Sequence, residues 1–178
     1  MKKKILFFPF FLFIFITIIF FYLLLIDRNP SELPSSLINK KIPVFVGKSL
    51  FNGNIFVSKK EFGNQIILVN FFATWCGPCR EEHSFIKKLS NKENLKIIGI
   101  NYKDDVDKTI LWLKELGNPY SDVIIDKDGS IGIEWGVYGI PETFVVDKNS
   151  KIKYKILGPI NEKNYERLVL KIAKEDKE

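Results

Sequence analysis

Cysteine and histidine are scarce in this sequence, and their scarcity excludes several kinds of site. The 178 residues include two cysteines, Cys76 and Cys79, and one histidine, His83. A tetrahedral zinc site needs four ligands, so these side chains leave it one ligand short, and haem binding has equally little support. A disulfide between residues three apart closes too small a loop to add much folding stability. We therefore predict no metal site, a structural or modulating role for His83, and a redox role for the two cysteines.

A strong excess of charge is also missing. Residues 2–4 are lysines that supply half of the net charge of +6, and the remaining 24 basic residues nearly match the 21 acidic ones. Because this small excess is scattered along the chain, we predict no nucleic-acid partner. The charged residues at 103–105 are interpreted as part of a solvated face.

Charged residues are absent from positions 5–26, where only Pro9 and Thr17 interrupt an apolar run. As a helix, a run of this length rises about 33 Å, enough to cross a hydrocarbon core of about 30 Å. A cleaved signal peptide usually has an apolar region of about 7–15 residues followed by small residues, which this run lacks. A buried core helix is the other alternative, but hydrophobicity on every side at the extreme N-terminus favours a membrane span. We predict an uncleaved, single-pass signal anchor.

The lysines on the short flank set the orientation of this anchor. The positive-inside rule places residues 1–4 in the cytoplasm and the rest of the chain outside it. In a bacterium this means the inner membrane, with residues 39–178 as a periplasmic domain and the Pro/Ser-rich residues 27–38 as a tether. Because the periplasm is oxidising, a dithiol kept there must be catalytic and must receive electrons from a partner.

Hydrophobic patterns in the domain predict short buried strands alternating with helices, which is typical of an α/β fold. An Asn-Gly turn at 52–53 predicts an early hairpin with strands at 42–45 and 50–57. Clean alternation at 152–156 predicts a late antiparallel hairpin. The other predicted strands are 66–72, 95–101, 123–125 and 143–146. The predicted helical segments are 58–62, one from the cysteines to 89 or 90, 105–116, 130–135 and 161–173, the last followed by a frayed tail.

The motif WCGPCR at residues 75–80 places both thiols at a strand-to-helix corner. Cys76 lies at the helix N-terminus, where free N–H groups and the helix dipole stabilise its thiolate, so it is the predicted nucleophile. Cys79 lies one turn further along the helix and is the predicted resolving thiol. Three neighbours are predicted to contact the substrate: Trp75, Gly77 and Pro78. Trp75 is either a lid beside the thiol or a packing aromatic.

Glu82 follows Cys79 on the same helix face. At 100° per residue it lies about 60° from Cys79, on the core-facing stripe of the helix. A carboxylate in this place is either a partner of the helix dipole or a proton acceptor for Cys79.

Longer motifs resemble a known family. LVNFFATWCGPCR (68–80) resembles the active-site strand and helix start of thioredoxins, and GIP (139–141) resembles their cis-proline loop. Four further runs are similar to the CcmG/DsbE family, the membrane-anchored thiol–disulfide oxidoreductases of cytochrome c maturation: CREEH (79–83), GINYKD (99–104), LKELGNPY (113–120) and GVYGIPETF (136–144). The resemblance implies a thioredoxin-like fold, a central mixed sheet flanked by helices, with an N-terminal hairpin extension and one transmembrane helix.

The resemblance also implies a substrate groove. It predicts a cis peptide bond before Pro141, with Tyr138 and Gly139 shaping the groove. Glu142 is a second candidate proton acceptor or a groove residue. Ordinary thioredoxins have a buried Asp where this chain has Asn70, and because Asn cannot take a proton, the candidate bases are Glu82 and Glu142.

The function implied by the resemblance is reduction of the haem-attachment cysteines of apocytochrome c. The implied partners are apocytochrome c or a haem-lyase complex, and a membrane electron donor of the CcdA or DsbD type. No cofactor is implied beyond the cysteine pair. One alternative is a thioredoxin-like reductase of another extracytoplasmic substrate. The other is a redox-inert binding module, against which the intact cysteine pair argues.

Overall fold

The computed structural model describes residues 8–25 and 36–177, which belong to two separate compact units. In the first unit, helix α1 (Phe8–Leu25) has a mean hydropathy of 2.7 and no buried residue. This helix is long and apolar enough to cross a membrane, but a signal sequence has the same features. Its use as an uncleaved anchor therefore stays a prediction. The predicted cytoplasmic residues 1–4, both ends of the predicted span and residues 27–35 of the predicted tether lie outside the described residues.

The second unit is built on a seven-stranded sheet with the order β2-β1-β5-β4-β3-β6-β7. The strands are β1 (Val46–Ser49), β2 (Ile55–Val57), β3 (Ile66–Phe72), β4 (Leu95–Tyr102), β5 (Asp122–Asp126), β6 (Glu142–Val146) and β7 (Ile152–Leu157). The helices are α2 (Ser58–Glu61), α3 (Gly77–Ser90), α4 (Val106–Leu116), α5 (Ser130–Glu134) and α6 (Glu162–Lys177). Strands β3, β4 and β5 are parallel, whereas β1, β6 and β7 run antiparallel to their neighbours. The predicted mixed sheet flanked by helices is confirmed.

Strand β3 is an interior strand of this sheet, between β4 and β6, and every one of its residues is buried. Because side chains alternate between the two faces of a strand, β3 contributes to two cores. Leu68 and Phe72 pack in the core that contains both cysteines. Val69 and Phe71 pack in the core on the other face. Both faces of the strand are therefore apolar, and Asn70 is its one polar residue.

The early hairpin differs from the prediction. Its first strand is Val46–Ser49, so the strand predicted at 42–45 is wrong, and the second strand begins at Ile55 and not at residue 50. Pro43 has no N–H for a ladder, and the Phe45 N–H donates to the Ser58 hydroxyl at 2.9 Å. Because neither Pro43 nor Phe45 has an N–H available for a ladder hydrogen bond, strand pairing begins only at Val46. The predicted turn at 52–53 does lie between the two strands.

The last helix is longer than the prediction. It was expected to end at residue 173, but α6 continues to Lys177. Glu175 is buried and its carboxylate lies 3.4 Å from Lys153 Nζ on β7. The Asp176 carboxylate lies 3.3 Å from Lys148 Nζ. These ion pairs connect the final turn to β7 and to the turn that precedes it, and the helix therefore continues past residue 173.

Candidate functional site

The cysteine pair lies where β3 ends and α3 begins. Cys76 is the N-cap residue of α3, and its sulfur accepts the Cys79 N–H at 3.1 Å. Pro78 lies in the first turn, where its missing N–H costs no helical hydrogen bond. The two cysteines form a disulfide, with 4% of Cys76 and 1% of Cys79 exposed. The structure therefore shows the oxidised form of the pair, with Cys76 the slightly more exposed residue.

Trp75 lies on the surface beside the pair. Its side chain is 60% exposed, and its indole N–H donates to the Lys103 carbonyl at 3.2 Å. A Cβ added at Gly77 or Gly139 would meet no atom within 4 Å, so both positions border open space. An indole with this exposure is not a core-packing aromatic, and its role as a lid stays a prediction.

The loop that precedes β6 carries the remaining predicted groove residues. The Ile140–Pro141 peptide bond is cis. Tyr138 is 76% exposed, and its ring faces Lys155 Nζ at 4.2 Å from the ring centre. Exposed aromatic surface is thus present both at the cysteine corner and on this loop.

Glu82 is buried in the core that contains the cysteines, with 1% of its surface exposed. One carboxylate oxygen accepts Asn70 Nδ2–H at 2.9 Å and the other accepts the Ile160 N–H at 2.8 Å. Burial raises the pKa of Glu82 from its ordinary value of 4.5 to about 7, although these two hydrogen bonds act in the opposite direction. A carboxyl group with this pKa can accept and release a proton at neutral pH.

Asn70 is the centre of a buried hydrogen-bond network that the sequence did not reveal. Its Nδ2 donates both to Glu82 and, at 3.0 Å, to the Thr143 hydroxyl. Its Oδ1 accepts the Tyr120 hydroxyl proton at 2.8 Å. Burial raises the pKa of Tyr120 well above its ordinary value of 10.0, and the nearby Glu82 charge acts in the same direction. Sequence reasoning treated Asn70 only as a missing base, but its amide organises three buried polar side chains.

Glu142, the second candidate base, lies on the other face of the sheet. It is paired with Phe71 across β6 and β3, and residues paired across strands share a face. Its carboxylate lies 3.0 Å from Lys155 Nζ and accepts the Tyr138 N–H at 3.0 Å. Lys155 Nζ also donates to the Gly136 carbonyl at 2.7 Å. This buried ion pair, which no local pattern signals, holds the loop that leads to the cis-proline.

Asp104 is a further residue that the sequence analysis missed. The interpretation of residues 103–105 as a solvated face is wrong for Asp104, because its carboxylate accepts the Thr74 N–H at 2.6 Å and the Thr74 hydroxyl at 2.9 Å. Asn101 Nδ2–H and the Asp105 N–H also donate to it. Burial would raise the pKa of Asp104, but the hydrogen bonds outweigh it and the pKa is lowered. An ionised Asp104 therefore anchors the segment just before the cysteine corner.

His83 is a buried core residue. Its Nε2 lies 2.7 Å from the Gly117 carbonyl and so carries the proton, and its ring contacts the Trp112 ring edge to face. Burial lowers the pKa of His83 below 6.5 against the opposing effect of the Gly117 hydrogen bond, and the charges of Lys87 and Arg80 lower it further. Within residues 8–25 and 36–177, no group of three acidic, cysteine or histidine side chains is arranged to hold a metal ion.

Comparison with known proteins places this site in a family. A family model described as Redoxin matches residues 38–169. The thiol:disulfide interchange protein DsbE of Escherichia coli strain K12 is 42% identical over 172 residues, covering 93% of this chain and 91% of that protein. The DsbE of Pseudomonas aeruginosa is 41% identical over 163 residues, covering 92% and 89%.

Solved structures support the fold. The thioredoxin domain of a thiol-disulfide oxidoreductase from Bacteroides vulgatus has a TM-score of 0.66 at 21% identity, covering 78% of this chain and 99% of that one. A secreted thiol-disulfide isomerase from Corynebacterium glutamicum has a TM-score of 0.69 at 22% identity, covering 84% and 95%. The fold is therefore thioredoxin-like. The identity to the DsbE proteins over nine tenths of the chain confirms the resemblance drawn from the motifs, and this chain belongs to the DsbE (CcmG) family of thiol:disulfide interchange proteins and is a thiol-disulfide oxidoreductase.

Proposed function

We propose that this protein reduces the haem-attachment cysteines of apocytochrome c on the outer side of the bacterial inner membrane. The observation that carries the proposal is the similarity to DsbE proteins over nearly the whole chain, with a Cys76–Cys79 pair and a cis Ile140–Pro141 bond whose Ile140 packs against the core that holds the pair. Open space at Gly77 and Gly139 leaves room for an extended peptide beside the pair. The exposed aromatic rings of Trp75 and Tyr138 supply apolar contacts for such a peptide.

The reaction starts from the reduced pair. The Cys76 thiolate attacks one sulfur of the substrate disulfide, forms a mixed disulfide and releases the other substrate sulfur as a thiolate. The Cys79 thiolate then attacks the Cys76 sulfur, breaks the mixed disulfide and releases the second substrate thiolate. Two electrons pass to the substrate, and the protein ends with the Cys76–Cys79 disulfide. An external dithiol, which we assign to a membrane donor of the CcdA or DsbD type, must reduce this disulfide again.

Glu82 is the proposed proton acceptor for Cys79. The two residues are three apart on α3, so their Cβ atoms lie about 5–6 Å apart on one face of the helix. Both are buried in the same core, where no bulk water competes for the proton. Glu142 is less suitable because it lies behind the sheet and is already paired with Lys155. The proton taken by Glu82 is then returned to the released substrate thiolate.

The location rests on α1 and on the flanking lysines. An uncleaved anchor would keep the domain at the membrane, where a membrane donor and a haem-lyase complex are within reach. Residues 39–178 would then form the periplasmic domain. Retention of the full-length chain in the membrane fraction, resistant to alkaline extraction, tests this arrangement, and a shortened soluble form would indicate a cleaved signal.

Substrate trapping tests the assignment to cytochrome c. In the full chain, Cys79→Ser removes the resolving thiol, so substrates should stay attached to Cys76 as mixed disulfides. We expect peptides with a Cys-x-x-Cys-His motif in the trapped fraction, identified by mass spectrometry after non-reducing isolation. The double variant Cys76→Ser/Cys79→Ser is the matched control and should trap nothing. Trapped proteins without the motif would favour a reductase of another substrate.

The role of Glu82 is tested with Ellman's reagent. The reduced protein should release one thiolate as Cys76 reacts and a second as Cys79 resolves the mixed disulfide, so stopped-flow absorbance separates the two steps. We expect Glu82→Gln to slow the second phase by about a hundredfold and to leave the first phase unchanged. Glu81→Gln, at an exposed neighbour, is the control. Slowing in Glu142→Gln but not in Glu82→Gln would transfer the role to Glu142.

A further inference from the structure

Tyr120 is a buried tyrosine in the core that contains both cysteines. Its ring stacks on Phe72, with 4.8 Å between the ring centres. The neighbouring strand makes room for the ring at Gly99, where an added Cβ would lie 3.1 Å from Tyr120 Cδ1. The position of the hydroxyl is thus determined by packing on two strands. Its single proton is donated to Asn70 Oδ1.

This hydrogen bond determines which way the Asn70 amide faces. With Oδ1 turned to the Tyr120 hydroxyl, both Nδ2 protons are directed to Thr143 and Glu82. A flipped amide would place Oδ1 against a carboxylate oxygen of Glu82, and two acceptors with no proton between them repel each other in a buried site. The hydroxyl of Tyr120 therefore controls, through Asn70, whether Glu82 receives a hydrogen-bond donor.

Glu82 in turn has one fixed donor on each oxygen. Asn70 binds one oxygen and the Ile160 N–H binds the other, so the carboxylate plane cannot rotate while one lone pair on each oxygen stays available for a proton. The titratable groups in the core on this side of the sheet include Cys76, Cys79 and Tyr120, with His83 packed against Tyr120. Tyr154 and Tyr165 pack at the edge of the same core. Strand β3 and the segment before α6 each donate one neutral amide N–H to Glu82, from Asn70 and Ile160.

From this geometry we infer that Tyr120 and Asn70 are positioning residues for thiol–disulfide exchange. They hold the Glu82 carboxylate in one orientation beside Cys79 and so set the rate at which the resolving thiol loses its proton. The inference rests on the proposed role of Glu82. Neither residue contacts the reacting sulfurs through a described hydrogen bond, so both act through Glu82.

The test uses the full chain in detergent and the two-phase reaction with Ellman's reagent. Tyr120→Phe keeps the ring and removes only the hydroxyl. We expect the second phase at pH 7 to slow about threefold, because only part of the free energy of the hydrogen bond between Asn70 and Glu82 is lost. Asn70→Ala removes the donor itself and should slow the second phase about tenfold. In both variants the pH midpoint of the second phase should move upward, because a carboxylate that loses a donor holds its proton more tightly. The first phase, which reports Cys76, should not change.

Double variants separate this inference from the proposed role of Glu82. In a Glu82→Gln background, Tyr120→Phe should cause no further slowing, since the path through Glu82 is already removed. Tyr165→Phe on α6 is the matched control and should behave as wild type. If Glu82→Gln alone leaves the second phase unchanged, the role of Glu82 fails and the inference fails with it. If Glu82→Gln slows that phase but Tyr120→Phe and Asn70→Ala both keep the wild-type rate and midpoint, only the inference is overturned.

Discussion

Replacing Glu82 with Gln removes a carboxyl group whose proton affinity differs strongly between the folded and the unfolded protein. In the folded protein burial raises its pKa to about 7, whereas the unfolded chain has the ordinary value of 4.5. The folded state therefore binds the proton more tightly, and the free energy of unfolding falls as pH rises through this interval. At about 1.4 kcal/mol per unit of pKa difference, the free energy of unfolding falls by about 3 kcal/mol in total as Glu82 ionises. Most of this decrease has occurred by pH 7. Because Glu82 is almost completely buried, solvent screening does not reduce this value appreciably.

The assay is urea unfolding of the oxidised full chain in non-ionic detergent, followed by tryptophan fluorescence from pH 4 to pH 8. Glu82→Gln also loses an acceptor, because its amide group faces a donor at either Asn70 or Ile160. The cost of this lost hydrogen bond does not depend on pH. The pH dependence of the difference in free energy of unfolding between wild type and Glu82→Gln therefore reports only the titration of Glu82. As pH rises from 4 to 8, we expect the wild type to lose about 3 kcal/mol of stability relative to Glu82→Gln. Glu81→Gln, which is exposed, should show no such trend, and a difference for Glu82→Gln that stays constant with pH would refute the reasoning.

Three further predictions concern the elements around the site, and each is measured by urea unfolding at pH 7. Asp104→Asn should destabilise the domain by about 2 kcal/mol, because Thr74 loses a charged acceptor, and Asp105→Asn is the control. Gly99→Ala should cost about 1–3 kcal/mol, since its Cβ would lie 2.8 Å from an aromatic carbon; an unchanged midpoint would show that the rings shift freely. Lys155→Met should cost about 3–5 kcal/mol by leaving the Glu142 carboxylate buried and unpaired, and Lys155→Met/Glu142→Gln should recover most of that loss. Equal stability of the single and double variants would mean that the ion pair is not the cause.

The local features of this protein follow from the sequence alone. Strand β3 is apolar on both faces except at Asn70, and it is followed by Cys76, Pro78 and a helical pattern. This order predicts a redox pair at a strand-to-helix corner. Local signals suffice here, because helix starts, buried strands and short-range spacing depend on residues within about one or two turns of each other. The long motifs by themselves indicate the DsbE family.

The acid–base environment of the pair was decided only by the tertiary structure. The sequence placed Glu82 on the correct helix face, but its partner Ile160 lies 78 positions away and the Tyr120–Asn70 bond joins residues 50 positions apart. Such contacts depend on strand order and register, which place Thr143 opposite Asn70 and Glu142 opposite Phe71 on the other face. A shift of one residue in that register would exchange the two faces. The sequence alone therefore determined the cysteine pair and its strand-to-helix corner, whereas the packing of the sheet determined which carboxylate lies on the side of the sheet that holds the pair.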